Sequence, residues 1–188
     1  MVQEIASNLA NTMVEGAYVC AEKIRNYPLE DEESKEAGLV VDIDDVKFAD
    51  IFLEFLVLFI HMADRLGVLT LDDHKRKEFM DILVEGAMNS SMEMIFAPDM
   101  PSDQRELAQE TLYKRLNWTN LEFMSMNKLF AEKDEDLKGT LMWEFAKGLS
   151  QLIVGDDYGI AYIYLGVDLA TNALEMIDIQ NVLDQVSM

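Results

Sequence analysis

Apolar residues return every three or four positions through most of this chain, the spacing that lays one stripe along an α-helix. Ile5, Leu9, Met13, Gly16, Val19, Cys20 and Ile24 form the first such stripe. They predict a helix over about 2–25, stopped by Pro28. The run VKFADIFLEFLVLFIHMADRL at 46–66 is a second helix, apolar on most sides, with aspartates 42, 44 and 45 at its N-terminal end, where negative charge is favoured. Gly67 stands where a helix-ending glycine belongs. Thr70 and Asp73 then read as the N-cap and N3 of a third helix, its inner face Phe79, Ile82, Leu83 and Ala87. Ser102 caps a fourth helix carrying Leu107, Thr111, Leu112 and Leu116, with the polar cluster 117–120 as a place to bend it. A fifth is expected over about 136–154 and a sixth over about 158–186, separated by Gly155-Asp156-Asp157. Short connections make such neighbours antiparallel. The pattern thus predicts an all-α fold, a single antiparallel bundle of about six helices in one domain over 1–188. An acidic linker is expected at 27–41, and a Pro98–Pro101 turn between the helical halves.

Composition sharpens this picture. Three prolines and nine glycines in 188 residues suit long helices and not a strand-and-turn protein. Half the residues are hydrophobic, enough for a sizeable core. The net charge is −21, and no Lys or Arg follows Lys147. Phosphate backbones and anionic lipid surfaces both require cations, so nucleic acid and membrane are not expected as partners. The run 159–179 is long and apolar but is interrupted by Asp168 and Glu175, so it reads as a core helix. The single cysteine, Cys20, lies among apolar neighbours and reads as a buried small hydrophobe. It permits no internal disulfide, and a cytoplasmic, bacterial protein is the expectation.

Candidate chemistry concentrates on the second helix. In projection Lys47, Asp50, Glu54, His61, Asp64 and Arg65 share a sector about 100° wide. Read as a wet edge or an internal ion network, the stripe is structural. Read as a cleft, it makes Asp50, Glu54, His61, Asp64 and Arg65 ligand-lining residues. Glu54 would be the acid or base, His61 a second proton carrier and Arg65 an anion holder. Two histidines and one cysteine are too few for a usual zinc site, and no dedicated metal or cofactor is expected. Carboxylates could still hold Mg²⁺. Glu32-Glu33-Ser34-Lys35-Glu36 and Glu78-Phe79-Met80-Asp81 are similar to the acidic motifs of MazG-like nucleotide pyrophosphohydrolases, in which such acids hold Mg²⁺. Here the first fragment falls in a linker, and the gap to the second is longer than in that family.

The sixth helix has no polar face over two turns, so it needs cover on all sides. Tyr162, Leu165 and Gly166 are therefore a candidate homodimer interface. The expected function is action through protein–protein contacts, self-association included, without catalytic chemistry. The alternative is a small-molecule or hydrolase site on the 46–66 helix, Mg²⁺-dependent in one form.

Overall fold

A computed structural model gives the fold, describing residues 1–27, 41–95, 101–124, 128–129, 138–155 and 159–188, the side chains at 104, 108, 112 and 117–124 excepted. The 27–41 linker except its end residues, the Pro98–Pro101 turn except Pro101, the side chains of the 117–120 cluster and residues 136, 156 and 157 lie outside that description, while the fourth helix continues through the backbone of 117–120. The chain is all-α. Six long helices and a short seventh are α1 (Val2–Arg25), α2 (Asp45–Thr70), α3 (Asp73–Ile95), α4 (Ser102–Met124), α5 (Leu141–Val154), α6 (Ile160–Ile177) and α7 (Ile179–Ser187). No strand occurs among the described residues.

The helix ends are set by side chains the pattern identified in part. Asp44 accepts from the backbone N–H of Lys47 at 2.8 Å and caps α2. The expected stop at Gly67 does not occur: α2 runs on to Thr70, whose hydroxyl donates to the Leu66 carbonyl at 3.0 Å. The N-cap of α3 is Asp72, which accepts from the Lys75 N–H at 2.9 Å, and not Thr70. Thr140 caps α5 by accepting from the Trp143 N–H at 3.2 Å, so that helix begins five residues later than the pattern placed it. The sixth helix is broken at Asp178, which sits in the left-handed region with φ 50°. A short polar side chain tolerates that conformation where an apolar branched one would not. The break divides the expected helix into α6 and α7.

The chain resolves into two compact units, neither of them a continuous stretch. The first comprises Met1–Gly16, Leu56–Phe123 and Leu174–Met188. Its core holds Phe59, Phe79, Leu83, Met92 and Leu183, all buried. Within it α2 and α3 form an antiparallel pair, linked by Arg76 Nη2 to Asp64 Oδ1 at 2.7 Å. Helix α3 also lies close against α1: a Cβ at Gly86 would stand 3.1 Å from that of Ala10, and Ser90 donates to Asn11 Oδ1 at 2.6 Å.

The second unit comprises Ala17–Phe55 and Met124–Ala173. Phe55 meets Phe145 edge-on with centroids 5.2 Å apart. Lys47 Nζ donates to the Ile153 carbonyl at 3.1 Å, at the C-terminal end of α5. Arg25 lies over the Phe48 ring at 3.9 Å and pairs with Asp45. Gly166 of α6 packs on Ala146 and Leu149 of α5.

Candidate functional site

Three helices of the first unit enclose a cleft of about 590 Å³. Helix α2 supplies Val57, Ile60, His61 and Asp64, α3 supplies Met80 to Asn89 along one side, and α4 supplies Gln109, Tyr113 and Leu116. Amphipathic spacing explains the arrangement. Residues 80, 84 and 88 of α3 recur at four and present Met, Val and Met to the cleft, while 81 and 85 on the adjoining edge present carboxylates. Val57, Ile60, Met88 and Leu116 form a buried apolar floor. Asp81, Glu85, Asn89 and Tyr113 are exposed and stand at the mouth.

The charges of the cleft differ in their freedom. Asp64 is half-buried, and its Oδ1 accepts from both Nη2 and Nε of Arg76, at 2.7 and 3.0 Å. Its charge is therefore compensated inside the protein. Asp81 and Glu85 take part in no ion pair or hydrogen bond among the described residues. They are one helical turn apart, so they repel each other until a cation comes between them. His61 is 2 % exposed, a buried member of the wall.

The polar stripe of α2 is engaged along its whole length. Lys47 serves the end of α5, Asp64 binds Arg76, and Asp50, Glu54, His61 and Arg65 each have a partner of their own. Asp50 and Glu54 belong to the second unit, half-buried, and only His61 and Asp64 line the cleft. The cleft residues that the polar stripe did not include are the apolar Val57 and Ile60 of α2 and all those of α3 and α4. The signal for those of α3 lay in its second stripe, where Met80, Val84 and Met88 alternate with Asp81 and Glu85.

Other candidates fall elsewhere. Tyr162 and Gly166 are buried inside the second unit and Leu165 is half-buried, while Ile160, Tyr164 and Met176 are the large apolar residues of α6 that are exposed to solvent. Burial raises the Tyr162 hydroxyl pKa, with Tyr27 nearby adding to it. Glu78 and Asp81 of the MazG-like fragment are exposed on α3, and its partner fragment at 32–36 lies outside the described residues. Among the described residues no three His, Cys, Asp or Glu side chains converge as metal ligands. Cys20 is buried, its Sγ 3.7 Å from the Leu169 carbonyl, and burial pushes the thiol pKa up to about 12 despite Lys23. It is a thiol and not a thiolate at neutral pH, which makes it a poor nucleophile. The stretch Ile160–Ser187 is long and apolar enough to cross a membrane by length and composition, with 39 % of its window buried inside the protein. Comparison with protein-family models, characterised proteins and solved structures finds no match for this chain.

Proposed function

We propose that this chain works by recognition and not by catalysis, its cleft in the first unit receiving an apolar group of a partner protein. The observation that carries the reading is an apolar floor bordered on its α3 edge by two carboxylates, Asp81 and Glu85, that make no ion pair or hydrogen bond among the described residues. A cavity of about 590 Å³ lies in the range of specific binding sites, about 300–1,000 Å³. Met80 and Met88 add an adaptable lining, suited to a surface that moulds to its ligand. A hydrolase would need an acid and a base facing one bound group. Of the stripe residues only His61 and Asp64 line the cleft, and Asp64 is committed to Arg76. On the same reading the protein acts in the cytoplasm, a setting with which its one cysteine, a buried thiol, is compatible.

The test is a titration of the protein, ¹³C-labelled at its methionine methyls, with a neutral apolar fragment such as benzyl alcohol. Met80 and Met88 resonances, assigned through Met→Leu variants, are expected to shift at millimolar fragment. Val84→Trp, which fills the cleft, abolishes those shifts while leaving the helical circular dichroism intact. Fragments that move only other methionines, or none, would end the reading.

A further inference from the structure

The rim of the cleft points to the chemistry of its occupant. We infer that it takes an amphipathic, basic helical segment of a partner protein, an inference that rests on the recognition role proposed above. The floor asks for large apolar side chains, because Val57, Ile60, Met88 and Leu116 offer no hydrogen-bond donor and only the weak thioether acceptor of Met88 from their side chains. A cavity of about 590 Å³ admits anchoring side chains but not a helix, whose cylinder is about 10–12 Å across. The segment therefore lies over the mouth and inserts its anchors, as helices do in apolar grooves.

The rim then selects the charge. Asp81 and Glu85 are exposed and stand one turn, about 6 Å, apart along α3. Lys or Arg residues four apart on a helix laid alongside repeat at the same interval. Filling both positions would also relieve the repulsion between the two carboxylates. A lone small cation gains little from exposed carboxylates in water, whereas several cations fixed on one scaffold add up. Tyr113 and Asn89 at the mouth supply an aromatic edge and an amide to the same ligand. The net charge of −21 raises the local concentration of any basic segment and speeds its arrival.

The experiment uses the full chain and synthetic helical peptides of about 20 residues, followed by fluorescence anisotropy at moderate salt. One peptide carries Leu and Trp on one face and flanking Lys at i,i+4. A second replaces the Lys by Glu, and a third scrambles the first so that no apolar face forms. The basic amphipathic peptide is expected to bind at least about tenfold more tightly than either control. The exposed-site variant Asp81→Asn/Glu85→Gln weakens that binding about tenfold and flattens its salt dependence. Equal binding of the scrambled peptide, or no effect of the rim variant, overturns the inference. A neutral fragment that still shifts the Met80 and Met88 methyls would then leave the recognition cleft standing without a basic helix. Failure of fragment and peptides alike would remove both.

Discussion

A methyl group added at Gly67 in α2 would meet nothing closer than Cγ of Arg76, at 3.7 Å, an ordinary contact. At Gly86 in α3 it would stand 3.1 Å from Cβ of Ala10, a short side chain with no way to yield. Both glycines lie inside helices, where Ala is intrinsically better by about 0.5–1 kcal/mol. At Gly67 that gain is expected almost whole, so Gly67→Ala raises Tm by about 1–4 °C. At Gly86 the gain is set against overpacking, which costs about 1–3 kcal/mol. Gly86→Ala is therefore expected to be destabilising by about 1 kcal/mol net. Thermal melts of the two variants check both signs. A Gly86→Ala protein as stable as Gly67→Ala would mean that α1 and α3 can separate at no cost. The pair also shows what a sequence hides: Gly67 looked like a helix stop, yet helix continues through it. A glycine permits termination but does not enforce it when Leu66 and Thr70 can go on forming helical hydrogen bonds.

The ends of α5 and α7 share a device. No Lys or Arg follows Lys147, and neither helix has a basic residue in its last turn. Each is served from elsewhere in its unit. Lys47 donates to the Ile153 carbonyl at 3.1 Å, and Lys75 to the carbonyls of Val186 and Ser187 at 3.3 and 3.1 Å. A cation at a helix C-terminus contributes about 0.3–1 kcal/mol and satisfies carbonyls the helix leaves open. Lys75→Ala should therefore fray α7 locally. Amide exchange over residues 183–187 accelerates several-fold while that of α2 is unchanged, and Lys75→Arg restores it. Uniform acceleration throughout the chain would instead show a global loss. His74, Lys75, Arg76 and Lys77 stand at the N-terminal end of α3, the unfavourable end of a helix for cations. What Lys75 and Arg76 do there cannot be read along the chain, because the carbonyls taken by Lys75 and the carboxylate taken by Arg76 come from other helices. The same limit applied to the cleft. Helix existence and the His61 and Asp64 positions followed from periodicity within one segment. Asp81, Glu85 and Tyr113 become one site only when α3 and α4 pack beside α2, and Asp178 breaks the last helix through a backbone conformation that no local pattern demanded.

For the whole chain, thirty-six acids stand against fifteen bases, and the described ion pairs do little to offset the imbalance. Of these, Lys114–Glu110 is largely exposed and Arg25 pairs with a fully exposed Asp45 carboxylate. Such surface pairs contribute about 0–1 kcal/mol each. A lowered pKa at exposed Asp72 and Glu110 reflects local hydrogen bonds with Lys75 and Lys114, which leave the long-range repulsion in place. A net charge of −21 thus opposes compaction, since unfolding moves like charges apart. Salt acts on this repulsion first, because raising ionic strength from 0.01 to 0.15 M shortens the screening length from about 30 to about 8 Å. Short pairs such as Asp64–Arg76, half-buried and 2.7 Å apart, are screened far less. The protein is therefore expected to gain stability between those two salt concentrations. A gain of about 1–2 kcal/mol would appear as a rise of about 2–8 °C in Tm. Sodium chloride is the salt to use, because sulfate would also strengthen apolar burial. A Tm that falls over this range would mean that local attraction outweighs the repulsion of the acids. The same titration bears on the cleft, because the field that destabilises the free chain is the one that would draw in a basic segment. Added salt should stabilise the protein and weaken its capture of that segment together.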